Sequence, residues 1–145
     1  MDDHNNKKKP VLFHDIDGVL FGDYAGEFQL RPGVKTWLTW AHQHFRVVWL
    51  TSWDKEHVEQ LLDLLHIREF LPVHYANWIK YETKALWLKE TRPKITESRA
   101  VFWLDNDVEK VDGVIEILVN RVGERELESV RERLSALLAK PRLVA

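Results

Sequence analysis

The feature of the sequence that most restricts its fold is an alternation of short apolar runs with amphipathic stretches. Five apolar, strand-like runs occur at residues 11–16, 46–50, 70–75, 100–104 and 115–119. Stretches with the three- and four-residue apolar spacing of helices occur at residues 34–45, 58–65, 84–89 and 124–139. Such an alternation predicts an α/β fold, a mostly parallel five-stranded sheet with helices on both faces.

Length and composition set the class of protein. The 145 residues suit one domain, which we expect to span residues 11–140 between flexible tails at 1–10 and 141–145. No apolar run approaches the roughly 20 residues that cross a bilayer, and none resembles a signal peptide, so we expect a cytoplasmic protein with no membrane association. The net charge of −2 argues against binding nucleic acid through bulk charge. Without cysteine, a metal would need oxygen or imidazole ligands.

Three of the apolar runs end in polar residues. These ends are Asp15-Ile16-Asp17, Thr51-Ser52 and Asp105-Asn106-Asp107. In a parallel sheet the carboxyl ends of the strands meet at one edge, where ligands bind. Burying the carboxylates at the ends of two such strands costs free energy unless a cation or hydrogen bonds compensate their charge. We therefore expect Mg²⁺, which prefers oxygen ligands, at this edge.

The spacing of Asp15 and Asp17 suits two chemical roles, because residues two apart in an extended segment project to the same side. Asp15 can attack phosphorus to form an aspartyl-phosphate, and Asp17 can protonate the leaving oxygen and then activate water. Thr51 can bind a phosphoryl oxygen. A lysine at the same point would neutralise the transferring group, and Lys84 is the preferred candidate over Lys80 because it leads directly into an apolar helix start.

The ordered set Asp15-Ile16-Asp17-Gly18, Thr51, Lys84 and Asp105 resembles the four motifs of haloacid dehalogenase-like (HAD-like) phosphatases. The resemblance spans roughly residues 11–119. The segments 12–21, 31–33, 49–53 and 103–107 look most like the phosphatase domain associated with Swiss Army Knife RNA repair proteins, and the capless carboxy-terminal-domain phosphatases are the next nearest in appearance.

This resemblance implies a three-layer α/β/α Rossmann-like HAD fold without a cap domain, with the five strands in the order 5-4-1-2-3. It implies a catalytic nucleophile at Asp15 and an acid/base at Asp17. The phosphate ligands that it implies are Thr51, Ser52 and Lys84. The Mg²⁺ ligands that it implies are Asp15, the Asp17 carbonyl, Asp105 and Asn106, with Asp107 as the alternative to Asn106.

Too few residues lie between Gly18 and Pro32, or between Tyr75 and Lys84, for a folded cap. An open site suits a phosphate on a macromolecule, such as an RNA or DNA end or a phosphoprotein. Four aromatic residues are candidates to line the opening and stack on a base: Tyr24, Phe28, Trp53 and Trp78.

Other interpretations accompany this hypothesis. An Asp-X-Asp-Gly string alone is a common turn or calcium-loop fragment, and His14 is more typical of a packed core histidine than of a catalytic one. The same mechanism could serve a protein phosphatase or a small-molecule phosphatase. A receiver-like domain that accepts phosphate on aspartate ranks lower, because such domains carry the acceptor on the third strand. A binding module that has lost catalysis is disfavoured by the complete motif set.

Overall fold

The computed structural model describes residues 9–24, 26–67, 73–96, 100–120, 123 and 125–139, and side chains within these ranges except those of residues 95 and 96. The strands in these ranges are β1 Val11–His14, β2 Phe21–Tyr24, β3 Glu27–Leu30, β4 Arg46–Thr51, β5 His74–Asn77, β6 Val101–Asp105 and β7 Ile115–Leu118. The α-helices are α1 Val34–His44, α2 Lys55–Leu65, α3 Lys84–Thr96 and α4 Glu126–Ala139, and a 3₁₀ helix covers Ile79–Tyr81.

Five of the strands form one sheet in the order β5-β4-β1-β6-β7, and all four pairings are parallel. β1 lies at the centre, where Phe13 is in register with Val48 of β4 and Trp103 of β6. All four residues of β1 are buried, which explains why this strand is apolar on both faces. The predicted α/β class with a mostly parallel five-stranded sheet is confirmed.

The strand numbering differs from the predicted 5-4-1-2-3, because the structure contains two strands that the sequence interpretation did not include. These strands, β2 and β3, form a separate antiparallel hairpin between β1 and α1. When the hairpin is left out of the count, the five predicted segments lie in the predicted spatial order.

Side chains of the sheet alternate between two apolar clusters, one on each face. Leu12 belongs to the cluster that includes the buried faces of α1, α2 and α4. Its neighbour Phe13 belongs to the second cluster, with Trp87 and Leu88 of α3. Helices therefore flank the sheet on both sides, and the carboxyl ends of the strands remain free for other contacts.

The β4–α2 connection is short because a side chain begins the helix directly after the strand. Asp54 Oδ1 accepts a hydrogen bond from the main-chain N–H of His57 at 2.9 Å, the usual arrangement at a helix N-cap. Only three residues thus separate Thr51 from the first residue of α2. This geometry fixes Thr51 and Trp53 near the carboxyl edge of the sheet.

Several element boundaries differ from the sequence interpretation. The third run was placed at residues 70–75, but residues 70–72 lie outside the described residues and the described strand is β5, His74–Asn77, at the edge of the sheet. α3 begins at Lys84 as expected and continues past Lys89 to Thr96, with Pro93 inside it. Residues 1–8 and 141–145 of the predicted tails, and Glu124 and Lys140 of the predicted domain, lie outside the described residues.

Pro10, the last residue of the predicted amino-terminal tail, is buried, and its carbonyl accepts a hydrogen bond from the Arg46 N–H. In the described part of the chain, no helix has the length and apolar character needed to cross a membrane.

Candidate active site

The first group of the candidate site follows β1 directly. Asp15 donates its main-chain N–H to Leu104 O at 3.0 Å, so its backbone continues the pairing between β1 and β6. Its side chain is buried, whereas Asp17 is exposed. The chain turns tightly after this point, because Ile16 O accepts hydrogen bonds from the main-chain N–H groups of residues 19, 20 and 21. The two aspartates therefore lie in different surroundings, one in the protein and one at its surface.

Lys84, the first residue of α3, connects two strand ends. Its Nζ lies 3.0 Å from Asp15 Oδ2 and 2.7 Å from Asp105 Oδ2. The two carboxylates are almost fully buried, and the lysine side chain retains 20% of its exposure. Lys80, the alternative lysine, is exposed in the 3₁₀ helix. Of the two lysines, Lys84 is thus the one that contacts the aspartates.

Asp105, at the end of β6, has further hydrogen-bond donors. Trp103 Nε1 donates to Asp105 Oδ2 at 3.2 Å, and the main-chain N–H of Asp107 donates to Asp105 Oδ1 at 3.0 Å. With the bond from Lys84, the carboxylate is fixed in one orientation. This network satisfies most of the hydrogen-bonding capacity of a fully buried acid.

The charges of this cluster change the acidity of its members. Burial, reinforced by the nearby charge of Asp105, raises the pKa of Asp15 to about 8, against the opposing effect of Lys84. Burial acts to lower the pKa of Lys84, but the charges of Asp15 and Asp105 outweigh it and raise that pKa. Lys84 therefore stays charged at neutral pH, while Asp15 is an acid that a further positive charge would ionise.

The side-chain amide of Asn106 turns one of its two terminal atoms toward three oxygens. This atom lies 3.2 Å from Asp17 O, 3.2 Å from Asp15 Oδ2 and 3.1 Å from Asp105 Oδ1. If the atom is nitrogen, it donates hydrogen bonds to these oxygens and closes the cluster. If it is oxygen, four oxygens converge on one point, an arrangement that a bound cation or the proton of Asp15 compensates.

Gly18 is the residue that allows Asn106 to come this close. Its φ of +75° lies in the left-handed region, and a β-carbon there would be 2.8 Å from both Cγ and Nδ2 of Asn106. Any other residue would therefore displace the amide. Gly18 therefore allows two features: the tight turn after Asp17, and the close contact between that turn and Asn106 after β6.

Thr51 and Asp17 are linked by Trp53. The main-chain N–H of Trp53 donates to Thr51 Oγ1 at 2.9 Å, and its indole Nε1 donates to Asp17 Oδ2, also at 2.9 Å. Thr51 is buried, and because its hydroxyl oxygen accepts from Trp53, the hydroxyl hydrogen is free to point elsewhere. Ser52 is exposed between them. The indole bond to Asp17 was not predicted, and no local pattern indicates it.

Arg31 is a second residue whose part in this region the sequence interpretation missed. Its buried guanidinium donates to Val19 O at 2.8 Å, Gly18 O at 2.8 Å and Asn120 O at 2.9 Å, and also to Gly123 O. It therefore ties the turn after Asp17 to the segment that follows β7. The segment 31–33 was noted for its resemblance alone, and a buried arginine gives no sequence signal of its own.

His14 supports the backbone at Asp15. Trp37 Nε1 donates to His14 Nε2 at 2.7 Å, so the ring hydrogen lies on Nδ1, which donates to Asp15 O at 2.6 Å. Burial lowers the pKa of His14 to about 4, so the ring is neutral at pH 7. This arrangement agrees with the interpretation of His14 as a packed core residue.

Not every aromatic candidate borders the opening. Tyr24 was expected to line the entrance, but it is buried, with the Arg31 guanidinium 4.7 Å from its ring centroid. Trp78 lies beside Lys84, whose Nζ is 6.0 Å from the ring centroid. Asp107, the alternative metal ligand, is exposed, and Asn106 is the residue that contacts the carboxylates.

The oxygen donors fit a hard cation. Among the described residues, no group of three or more His, Cys, Asp or Glu side chains is arranged to hold a metal. The set here is of another kind, two carboxylates (Asp15 and Asp105), one amide (Asn106) and the main-chain carbonyl of Asp17. One lysine faces two buried acids, so ionisation of both Asp15 and Asp105 would leave a net negative charge that Mg²⁺ would offset.

The chain was also compared with known proteins. No protein-family model matches the chain, and no curated protein matches it significantly.

Proposed function

We propose that this chain is a Mg²⁺-dependent phosphomonoester hydrolase of the HAD-like, capless type, which works through an aspartyl-phosphate on Asp15. The observation that carries the proposal is the contact of Lys84 Nζ with the buried carboxylates of both Asp15 and Asp105. These residues come from three separate elements and meet at the carboxyl edge of a parallel sheet. Such convergence is typical of a functional site in α/β proteins.

Four groups would hold the cation: the Asp15 carboxylate, the Asp17 carbonyl, Asp105 and Asn106. When bound, Mg²⁺ supplies positive charge that admits a phosphate dianion and keeps Asp15 ionised. One terminal atom of the Asn106 amide lies within 3.2 Å of an oxygen from each of the other three residues, and in the metal-bound form that atom would be oxygen.

In the first step, a carboxylate oxygen of Asp15 forms a bond to phosphorus while the bond from phosphorus to the ester oxygen breaks. Asp17 transfers a proton to the departing oxygen, so an alcohol leaves. The exposed position of Asp17, next to the buried Asp15, supports this division of roles.

In the second step, water attacks the phosphorus of the aspartyl-phosphate, and the bond from phosphorus to the Asp15 oxygen breaks. Asp17, now ionised, accepts the proton of that water. Inorganic phosphate leaves, and both aspartates return to their starting forms. The bond from Trp53 Nε1 holds the Asp17 carboxylate in place for both transfers.

The residues that would bind the phosphate are Thr51, Ser52 and Lys84. Thr51 has a hydroxyl hydrogen free to donate, and the main-chain N–H of Ser52 lies next to it in the chain. Lys84 is charged and partly exposed, so its ammonium group can stay close to the phosphoryl oxygens while the phosphoryl group is transferred. Positioned charge is the main source of catalysis in phosphoryl transfer.

The substrate class that we propose is a phosphate on a macromolecule, such as an RNA or DNA end, ahead of a phosphoprotein or a small metabolite. Between β1 and α1 the described chain forms the hairpin and its turns, and between β5 and α3 it forms the short 3₁₀ helix and adjoining turns. Neither segment makes a cap domain, so the opening admits a large substrate.

The proposal is tested by phosphate release from an aryl phosphate with and without Mg²⁺. We expect the wild-type protein to be active with Mg²⁺, and Asp15→Asn to be inactive. Asp23→Asn, which removes a carboxylate from the exposed hairpin, is the matched control and should retain activity. Equal turnover by Asp15→Asn would overturn the proposal, and a long-lived phospho-aspartate without turnover would favour the receiver-like alternative.

A further inference from the structure

Arg31 is a buried arginine, only 1% exposed, whose side chain bridges two loops beside the candidate site. On one side, its Nε donates to Val19 O and its Nη2 donates to Gly18 O, both at 2.8 Å. On the other side, Nη2 donates to Asn120 O at 2.9 Å, and Nη1 donates to Gly123 O. All of these acceptors are main-chain carbonyls, so the planar guanidinium fixes the backbone of both loops.

The far side of Arg31, the segment after β7, is itself tied to the candidate site. Val119 donates its main-chain N–H to Asp105 O at 2.8 Å. The next residue, Asn120, donates its main-chain N–H to Glu126 Oε2 of α4 at 2.5 Å. Arg31 therefore connects the turn on its near side to a segment that a strand end and a helix already hold in place.

The near side of Arg31 is the turn in which Gly18 has a left-handed backbone, with φ +75°. Glycine adopts positive and negative φ about equally well, so contacts must select this conformation. Gly18 and Val19 are both buried, and a buried carbonyl without a hydrogen-bond partner costs free energy. The two bonds from Arg31 supply those partners and thereby favour the conformation in which they form.

The conformation of Gly18 decides how Asp17 meets Asn106. The Asp17 carbonyl belongs to the peptide unit before Gly18, and the carbonyl that Arg31 binds belongs to the unit after it. One terminal atom of the Asn106 amide lies 3.2 Å from Asp17 O. Rotation about the backbone dihedrals of Gly18 would move Asp17 O relative to the carbonyl that Arg31 holds. The position of Asp17 O thus depends on the bonds from Arg31.

We propose that Arg31 is a positioning residue for the candidate metal site. By holding the turn, it keeps the Asp17 carbonyl and the Asn106 amide directed at the same cation. This inference rests on the proposed function, in which these two groups bind Mg²⁺. Arg31 would not touch the cation, and its charge alone would weaken the binding of another positive charge. An effect of Arg31 through geometry therefore has the opposite sign to an effect through charge.

Calorimetric titration of the full chain with Mg²⁺ separates the two effects. Arg31→Lys keeps the positive charge but lacks the planar fork that spans both loops, and Arg31→Met lacks both. Both variants should bind Mg²⁺ about tenfold more weakly than the wild-type protein, as expected when a group that orients a metal ligand is replaced. In phosphate release, the kcat of Arg31→Lys should recover at saturating Mg²⁺, because the defect lies in metal affinity.

Two control variants separate positioning from a general loss of stability. Arg92→Lys changes another arginine that donates to a main-chain carbonyl, that of Asp112 at 3.0 Å in the turn before β7. Val130→Ala creates a cavity at a buried position of α4 and destabilises the fold. Both controls should bind Mg²⁺ as the wild-type protein does. Circular dichroism checks that each variant is folded under the conditions of the titration.

Two outcomes of the titration would overturn the positioning role. One is wild-type affinity for Mg²⁺ in Arg31→Lys. The other is tighter binding in Arg31→Met, which would show that the charge of Arg31 matters and its hydrogen bonds do not.

A measurement on the wild-type protein decides the question if neither Arg31 variant folds. During an NMR titration with Mg²⁺, the Nε–H signal of Arg31 and the amide signal of Gly18 should shift with the same midpoint, because the two groups form one link to the metal site. The Nε–H signal of Arg92 should stay in place. An Arg31 signal that does not respond to Mg²⁺ would overturn the proposal.

Failure of the phosphatase proposal would look different. The wild-type protein would then bind Mg²⁺ but release no phosphate, and the comparison of Mg²⁺ affinities would still decide the role of Arg31. If the wild-type protein binds no Mg²⁺, both proposals are wrong.

Discussion

Trp53 Nε1 donates a hydrogen bond to Asp17 Oδ2 at 2.9 Å, between residues that are 36 positions apart in the sequence. The same residue donates its main-chain N–H to Thr51 Oγ1 and packs its ring edge-to-face with Phe21. One tryptophan thus contacts the proposed acid/base, the proposed phosphate ligand and the hairpin. Trp53 thus adds a side-chain link to the main-chain contact between the Asp17 turn and Phe21 of the hairpin.

Trp53→Phe should lower kcat about tenfold with little change in KM. The substitution keeps a ring against Phe21 but removes the N–H that orients Asp17, and a hydrogen bond to a charged group contributes about 1.5–3 kcal/mol. Steady-state kinetics measures both constants. Trp78→Phe is the matched control, because the buried Trp78 Nε1 has no hydrogen-bond partner among the described residues. Wild-type kcat in Trp53→Phe would contradict the positioning role.

Lys84→Met should abolish most activity and also destabilise the fold. It leaves the carboxylates of Asp15 and Asp105 buried without their cation, which we expect to cost about 3–5 kcal/mol of unfolding free energy. The rate should fall at least about 100-fold, as for other groups that stabilise transition-state charge. Urea unfolding and phosphate release measure the two effects.

Lys80→Met is the control for Lys84→Met, because it removes the same charge from an exposed position four residues earlier. It should leave both stability and rate close to wild type. A larger loss in Lys80→Met than in Lys84→Met would transfer the lysine role to Lys80.

The sheet and the acidic strand ends were predictable because their signals are local. β1, β4 and β6 are buried on both faces apart from Arg46, and their interior positions are apolar. A polar residue at the end of such a run therefore indicates where the strand reaches the carboxyl edge of the sheet. Lys84 was preferred for a similarly local reason, because it leads directly into the apolar residues of a predicted helix start.

The hairpin and the contacts that it makes could not be read from the sequence in this way. β2 and β3 have four residues each, and exposed Asp23, Glu27 and Phe28 interrupt any regular apolar alternation. The residues that fix this region act at long range: Arg31 reaches Asn120 across 89 positions, and Trp53 reaches Asp17 across 36. Such bonds depend on how the elements pack, which a local pattern does not contain.

Gly18→Ala should be more harmful than the same change at another glycine with positive φ. Both Gly18 and Gly33 have φ near +80°, but only at Gly18 would the new β-carbon meet Asn106, at 2.8 Å, whereas nothing lies within 4 Å at Gly33. Gly33→Ala carries the backbone cost alone, about 1–2 kcal/mol. Gly18→Ala should cost about 1–3 kcal/mol more and weaken Mg²⁺ binding. Equal unfolding free energies for the two variants would refute the Asn106 contact.

Acid should destabilise the protein through His14. Its pKa is about 4 in the folded state, below the ordinary 6.5, so the unfolded chain binds the proton more readily. The stability that comes from the neutral ring is therefore complete above about pH 6.5 and is lost as the pH falls towards 4, by an amount on the order of 3 kcal/mol. Burial also lowers the pKa of His42, which acts in the same direction.

Two measurements separate His14 from His42. The ring protons of His14, followed by NMR, should not titrate above about pH 5, because Nε2 accepts from Trp37 and has no room for its own hydrogen. In His14→Asn the slope of unfolding free energy between pH 6.5 and 4 should be smaller than in wild type. Titration of His14 near pH 6.5 would contradict the neutral, buried ring.

Mg²⁺ binding should release a proton from Asp15. Burial and Asp105 raise the pKa of Asp15 to about 8, so this acid is mostly protonated at pH 7 without the cation, while a metal ligand must be ionised. Affinity should therefore rise about tenfold for each unit of pH below 8 and level off above it. Calorimetry in two buffers of different ionisation enthalpy measures the release, which should be close to about one proton at pH 6. Asp15→Asn should bind Mg²⁺ weakly and release no proton. If the wild-type protein binds Mg²⁺ with the same affinity at pH 6 and pH 8, Asp15 is already ionised before the cation binds, and the prediction is wrong.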